Sequence, residues 1–439
     1  MITSQNFLTG LNKRILLIGG NFSPELTGIG KYNGEMMDWL TSNGYDCAVI
    51  TTYPYYPQWK VQEPYTKHSY WYRKEKSKGK NPYSILRCPH YVPQNPTGLK
   101  RLLSDFSIFV STFFALLPLL FKKRYDFIIT VAPPYTLGLL GYLYQKVKGA
   151  KLIYHVQDLQ VDAAKELGMI KSGALLSVLF GVEKFILSKA NVVSSISSGM
   201  MQKLANKCDK AITFFPNWVD VNVFYPLKDK EKLKVRFGFK VNDKIILYSG
   251  AIGEKQGLEM ILHAAEELQN QVDVKFVICG QGPYQQKLLA LQKELNVSNV
   301  YFLPLQPFNL FNQFLNMADV HLVIQKANAS DLVLPSKLST ILAVGGVSIV
   351  MANSNTSLCN LMQTSDMGYV IKPEDQIVLN KAILQAVTSD NVAKGQNARM
   401  YAENHLFREA ILSTFSQQIL GSELKETATL QVYNVFESV

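Results

Sequence analysis

Short runs of β-branched and aromatic residues recur along the chain, and between them apolar residues fall at helical spacing. In the first half, residues 14–20, 46–52, 125–131, 151–156 and 191–195 read as strands. Ile29, Tyr32, Met36 and Leu40 mark one face of a helix that Gly44 ends. A second series begins with 244–249 and 274–279 and continues through 299–303, 320–325, 347–351 and 369–371, separated by helices such as 258–268. This alternation is what a parallel sheet with crossover helices requires, so the fold class is α/β, in two Rossmann-like lobes of similar size. The break falls at Pro216-Asn217-Trp218-Val219-Asp220, ahead of the charged run 228–234. The expected organisation is a first lobe over 1–216, a second over 217–390, a closing helical segment over 391–420 and a tail over 421–439.

Two stretches depart from that alternation. Residues 102–121 (LLSDFSIFVSTFFALLPLLF) have the length of the ~20 apolar residues that cross a bilayer, and Lys100-Arg101 and Lys122-Lys123-Arg124 bracket them. Asp105, three serines and Pro118 weigh against a span. A buried helix of the first lobe and an in-plane interfacial helix fit equally well. Residues 53–72 (YPYYPQWKVQEPYTKHSYWY) add to the interfacial reading, because Tyr and Trp suit a boundary that is apolar on one side and wet on the other. A sugar-stacking or simply packed loop is the alternative.

Composition removes several classes. A chain of 439 residues that is 47% hydrophobic and 18% charged builds sizeable cores and leaves little room for long disorder. Cys47, Cys88, Cys208, Cys279 and Cys359 are odd in number, scattered and without a C-x-x-C pair, which points to reduced thiols in a cytoplasm and away from zinc. The apolar run behind Lys13-Arg14 ends in Gly19-Gly20 with no small-residue cleavage pattern, so it reads as a first strand and not a signal peptide. The net charge of +11 is uneven: residues 1–215 hold 26 Lys/Arg against 13 Asp/Glu, while residues 216–439 hold 19 against 21. One lobe is therefore suited to something anionic, be it nucleic acid, a phosphorylated substrate or an acidic membrane face. The charges are dispersed and match no nucleic-acid module, which disfavours the first of these.

Candidate chemistry gathers where predicted strands end. Gly28-Ile29-Gly30 opens the first helix, where backbone N–H groups and the positive helix end favour a phosphate, although a tight turn needing glycine is an equal reading. A dinucleotide fingerprint fails, since Asn33 stands where a third glycine belongs and Thr51-Thr52 where an acid belongs. His155, followed by Gln157 and Asp158, comes at the carboxyl end of a strand, the edge off which ligands bind in open α/β sheets. It could hydrogen-bond a substrate, with its tautomer fixed by a neighbour such as Asp158, or be structural. In the second lobe the loops 249–257, 280–282 and 334–337 all fall at carboxyl ends. Lys255 and Lys337 offer cations to a diphosphate or are solvated surface charges, and Ser336 can cap the helix that follows it. No D-x-D pair, histidine or cysteine cluster, G-x-S-x-G elbow or Walker loop is present in the sequence, which leaves metal-independent group transfer open.

In family order the chain carries FSPELTGIGKYNGEMMDWL, YHVQD, PNWVDVNVF, YSGAIGEKQGLE, a GQG turn and LPSKLSTILAVGG. These segments resemble the retaining GT-B glycosyltransferases of family 4. TGIGKY, YYPQW, RCP-x-YVP, IGEKQGLE and LPSKL are similar to the colanic-acid biosynthesis subgroup, often described as fucosyltransferases. The resemblance implies two Rossmann-like lobes facing each other across a cleft. It implies transfer of a sugar from a UDP- or GDP-linked donor to a lipid-diphosphate-linked saccharide, for exopolysaccharide or capsule, at the cytoplasmic face of the cell membrane.

No cofactor, metal or nucleic acid is expected. The anionic membrane surface is an expected partner of a peripheral enzyme. His155 and Asp158 would be the catalytic pair. Gly28, Gly30, Gly253, Lys255, Gln256, Ser336 and Lys337 would meet the donor diphosphate, and Gly280, Gly282, Leu305 and Thr340 the nucleotide. The chain departs from the broader family at Ala251, Gln256 and Thr340, which replace an arginine, a lysine and a ribose-binding glutamate. Those losses keep a second expectation in view, a non-catalytic subunit of a polysaccharide assembly complex.

Overall fold

Val, Ile and Leu runs that have no polar face must be covered on both sides, and the strands they form lie in the middle of two parallel sheets. The computed structural model describes residues 13–25, 28–166, 170, 172–271, 273–326, 335–354 and 356–421. Leu26, Thr27, Leu334 and the expected tail beyond Gly421 lie outside the described residues. The chain divides into two compact units, with Pro216 closing one run of the first and Asn217 opening the second. The second unit runs to Ile411, and from Leu412 the chain belongs to the first unit again, so the helical segment expected over 391–420 is shared.

Unit 1 holds strands β1 (Arg14–Gly19), β2 (Asp46–Thr52), β3 (Arg73–Lys76), β4 (Ser84–Cys88), β5 (Phe127–Ala132), β6 (Lys151–Val156), β7 (Val192–Ser195) and β8 (Ile212–Phe214). Their order in the sheet is β3-β4-β2-β1-β5-β6-β7-β8. All pair in parallel except β3, which is antiparallel to β4 at the edge. In the central β1, Ile15, Leu16, Leu17 and Ile18 are fully buried. Each is worth about 1.5–3 kcal/mol over leaving it exposed. The first helix, Gly28–Ser42, covers its strands with Tyr32, Met36 and Leu40, and Gly44 takes φ +88° in the turn that follows.

Unit 2 holds β9 (Lys244–Ser249), β10 (Val274–Cys279), β11 (Val300–Leu303), β12 (Val320–Val323), β13 (Ser348–Met351) and β14 (Gly368–Ile371) in the order β11-β10-β9-β12-β13-β14, all parallel. The alternation along β9 divides two cores. Ile245 and Leu247 pack into the layer with Val277, Leu338 and Leu342, while Ile246 and Tyr248 pack into the layer with Phe276, Ile261 and Leu262.

The segment expected over 102–121 is a helix, Gly98–Leu116, continued by a 3₁₀ turn, Leu117–Phe121. Its inward face carries Ser104, Ile108, Ser111, Thr112, Ala115 and Leu116. Leu99, Leu103, Phe106, Phe114 and Phe121 are exposed. An ordinary core helix keeps its large apolar side chains for the inward stripe; here Ser104, Ser111 and Thr112 share the inward face with Ile108 and Leu116, and large apolar side chains face out as well. The aromatic stretch divides likewise, with Tyr53 and Tyr55 buried and Tyr70 and Trp71 exposed. The Tyr72 hydroxyl donates to the Ser111 carbonyl at 2.9 Å, tying that exposed tip to the helix.

Candidate functional site

Each unit presents a set of candidate residues at the carboxyl ends of its strands. In unit 1, Gly28 begins the first helix at φ +62°, a left-handed conformation that glycine adopts without cost. A Cβ on Gly28 would lie 3.6 Å from the Tyr56 ring. A Cβ on Gly30 would stand 2.4 Å from Glu25 Oε2, so absence of a side chain there makes room for a carboxylate of the protein's own. Glu25 is buried. Its Oε1 accepts the backbone N–H groups of Tyr55 and Tyr56, both at 2.9 Å, and Asn21 Nδ2 donates to its Oε2 at 3.0 Å. Burial pushes its carboxyl up, against the pull of these donors and of Arg87. Through Glu25 the segment that follows β1 is hydrogen-bonded to the aromatic loop after β2.

His155 lies on β6 between Val131 of β5 and Ser194 of β7 and is buried. Its Nδ1 is 3.0 Å from Ser194 Oγ, and its ring packs on Phe215 with centroids 5.0 Å apart. Phe215 in turn stacks on Phe415 at 4.2 Å. Burial pulls the imidazole down to about 3, so at neutral pH it is an uncharged hydrogen-bonding group. The Ser194 hydroxyl can donate to or accept from that nitrogen, so it serves either tautomer. Asp158 is half-buried two residues beyond β6, where its charge, with that of Glu25, helps burial raise the Tyr56 phenol.

Sequence reasoning passed over a second carboxylate at this edge. Asp105 on the Gly98–Leu116 helix accepts from Gln160 Nε2 at 2.5 Å, and the Gln160 Oε1 accepts the Tyr135 N–H at 3.1 Å. Burial pushes the Asp105 carboxyl up to about 7, against Gln160 and Arg101. The Arg101 guanidinium stands 5.3 Å over the Trp59 ring. Asp105 carries no motif; its place depends on a helix crossing back over the sheet.

In unit 2 the glycines serve loop packing. A Cβ on Gly280 would stand 1.9 Å from the Gly250 carbonyl oxygen, and one on Gly282 2.0 Å from that of Ile252. With both absent, Gly250 N–H reaches the Cys279 carbonyl and Ile252 N–H the Gln281 carbonyl, each at 3.0 Å. Gly253 precedes the 3₁₀ turn Glu254–Gln256, in which Lys255 is exposed and Gln256 Oε1 is buried with no hydrogen-bond partner among the described residues. Lys326, beyond β12 and absent from the sequence-based candidates, donates its backbone N–H to the Lys255 carbonyl at 3.0 Å. The expected strand over 320–325 ends at Val323, which frees Gln325 and Lys326 for this edge.

Lys337 sits in the first turn of the helix Ser336–Ala343, half-buried. Its Nζ lies 4.0 Å from the centre of the Tyr248 ring, and the Tyr248 hydroxyl donates to the Ala251 carbonyl at 2.7 Å. Burial pulls the Lys337 ammonium down to about 7. Among the described residues no carboxylate forms an ion pair with it. Ser336 is the first helical residue behind Pro335 and its hydroxyl does not cap the helix, which corrects the expected capping role. Thr340 lies one turn further along this helix, half-buried. Leu305, beyond β11, is 48% exposed at the same sheet edge. Among the described residues no group of three His, Cys, Asp or Glu is placed to hold a metal ion.

Residues 229–405 match the family described as glycosyl transferases group 1, and residues 27–218 the glycosyl transferase 4-like domain. The chain is 40% identical over 418 residues to the Escherichia coli (strain K12) protein WcaI, named for colanic acid biosynthesis and glycosyl transfer, covering 93% of this chain and 100% of that one. Its fold is shared with sucrose-phosphate synthase from Thermosynechococcus elongatus, at TM-score 0.71 and 16% identity over 92% of this chain and 98% of that one. It is shared also with Anabaena HepE in complex with UDP-glucose, at TM-score 0.67 and 12% identity over 93% and 100%.

Proposed function

The chain belongs to the group 1 glycosyl transferases, in the two-lobed GT-B fold, and on that premise we propose that it moves a sugar from a nucleotide-diphosphate donor to a lipid-linked saccharide in polysaccharide biosynthesis. One observation carries the donor assignment: Lys337 is a partly enclosed cation without a carboxylate partner among the described residues, at the carboxyl edge of unit 2, beside loops that glycine brings together. A leaving diphosphate gains negative charge as the glycosidic bond breaks, and preorganised donors aimed at that charge are the largest lever a transferase has. With Ala251 and Gln256 in place of two cations, Lys337 takes most of that charge, backed by the N–H groups around Ser336 and Gly253, with Lys255 and Lys326 behind it. The base lies toward Gly280, Gly282, Leu305 and Thr340.

In unit 1, uncharged His155 hydrogen-bonds the transferred sugar and Asp158 orients neighbouring groups. The diphosphate approaches Gly28, while Glu25 already occupies the space against Gly30. Reaction proceeds with retention: the bond from the anomeric carbon to the diphosphate oxygen breaks, the acceptor hydroxyl bonds to the same face, and its proton passes to a donor phosphate oxygen. No metal is needed for this charge balance.

The enzyme works on the cytoplasmic face of the cell membrane, held there by the outward apolar side of the Gly98–Leu116 helix between Lys100-Arg101 and Lys122-Lys123-Arg124.

A thermal-shift panel of UDP, GDP and their sugars tests the donor reading. A ligand at 100 times its dissociation constant stabilises the native state by ~2.7 kcal/mol, so one nucleotide series should raise the melting temperature, with or without chelator. Silence across the whole panel would overturn the assignment. Binding that requires added magnesium would overturn the metal-free mechanism. Binding without donor hydrolysis or transfer would favour the non-catalytic subunit.

A further inference from the structure

The crossovers β4 to β5, β5 to β6 and β6 to β7 all run in one direction across the unit 1 sheet, so right-handed connections lay their helices on one side. That layer contains Gly98–Leu116, then Leu137–Lys148, then Gly173–Lys189, each touching the next. The third helix, like the first, is apolar on its outer side as well as its inner one. Its buried side carries Glu183 with Ile186 and Leu187. Lys207 pairs with Glu183 at 2.7 Å and also with Asp162. Its outer side carries Leu175, Val178 and Phe185, three and seven residues apart and so on one face, all exposed, with Val178 at 61%. Between these two helices Val147 is exposed, and Tyr142 meets the Phe185 ring edge-on at 5.3 Å.

Charge says what such a face fits. The three helices contain six basic residues, Lys100, Arg101, Lys146, Lys148, Lys184 and Lys189, against two acidic ones, Asp105 and Glu183, both engaged on the inner side. Lys189 Nζ stands 5.7 Å over the Phe185 ring, at the rim of the apolar strip. Apolar side chains flanked by lysines match the interface of a bilayer with anionic headgroups. A second copy of this chain would set one lysine-rich rim against another, which like-charge repulsion opposes.

We propose that the Gly173–Lys189 helix is a second membrane-contacting element, whose Leu175, Val178 and Phe185 enter an anionic bilayer alongside the Gly98–Leu116 helix. This rests on the membrane-bound reading above and extends it from one helix to a three-helix face.

The test is co-sedimentation of the full chain with phosphatidylglycerol-containing vesicles and with pure phosphatidylcholine vesicles. Wild type should bind the former at least tenfold more tightly. Val178→Ser/Phe185→Ser should lose at least tenfold in that affinity, as should Phe106→Ser/Phe114→Ser, with circular dichroism and melting temperature unchanged. Lys184→Gln/Lys189→Gln changes exposed side chains alone and should lose several-fold. Weakening by the Phe106/Phe114 pair with wild-type binding by both other pairs would overturn the proposal and leave the first helix as the contact. No binding by wild type would sink the membrane reading itself. A wild-type dimer that Val178→Ser/Phe185→Ser converts to monomer without altering vesicle binding would assign the face to a second copy and overturn the proposal equally.

Discussion

Lys337 lies over an aromatic face and has no carboxylate against it among the described residues, so its proton is the group most exposed to a change of ligand. An arriving diphosphate favours the charged form. Above about pH 7 the free site is increasingly neutral and binding must recharge it, so affinity should fall as pH rises, approaching tenfold per pH unit. UDP-glucose suits the measurement, because its diphosphate is esterified at both ends and keeps its charge through this range. Lys337→Arg, whose guanidinium stays ionised, should flatten the profile between pH 7 and 9, and a wild-type profile that is already flat would remove Lys337 from the site. His155 makes a contrasting case. Already neutral, it should impose no pH dependence of its own near neutrality, and His155→Ala should lower turnover by roughly 100-fold or more while leaving nucleotide affinity unchanged. Equal turnover in the variant would make it a core histidine.

Among the elements, the buried strands are legible because an uninterrupted apolar run leaves little choice of structure: β2, β6, β9 and β10 have the expected bounds. The three strands missed are those whose composition answers to something other than a core. β3, Arg-Lys-Glu-Lys, is a charged and mostly exposed edge strand, of the kind that discourages pairing with another chain. β4 contains Arg87, fully buried because Glu75 at 2.7 Å and the Thr52 and Ser23 carbonyls satisfy its guanidinium. β8 is three half-buried residues.

The same division holds at the site. The glycine turns can be read as turns from their spacing, but the atoms that exclude a side chain cannot: Glu25 faces Gly30, and the Gly250 carbonyl faces Gly280. Tyr248 is 89 residues from the lysine it holds, and no local pattern connects them. Because the atom opposing Gly280 is backbone, Gly280→Ala should pry the two loops apart. We expect a loss of about 1–3 kcal/mol in stability together with weaker nucleotide binding, measured by denaturation and titration calorimetry. An unchanged protein would mean that the loops yield freely.

At the scale of the whole molecule, the charge asymmetry is legible from the sequence, whereas the return of the chain to unit 1 at Leu412, within the helix Arg408–Gln418, is not, since nothing in its weakly patterned sequence states which lobe it completes. Phe415 stacks on Phe215, Tyr45 meets Ser416 at 2.6 Å, and Lys13 Nζ donates to the Leu420 carbonyl at 2.7 Å. Phe415→Ala should cost about 3–5 kcal/mol in the unfolding of unit 1 and loosen the support of His155. Two resolved unfolding transitions with the first unmoved would show that the helix is dispensable. These contacts also set a schedule. A chain emerging from the ribosome exposes the eight described strands of unit 1 long before the helix that closes them, and at roughly 5–20 residues per second the intervening ~200 residues take about 10–40 s. During that interval the nascent lobe lacks its last aromatic layer, so unit 1 cannot reach its native state until residues 412–420 have followed the whole of unit 2 out of the ribosome, and nascent chains are where a holdase would find it.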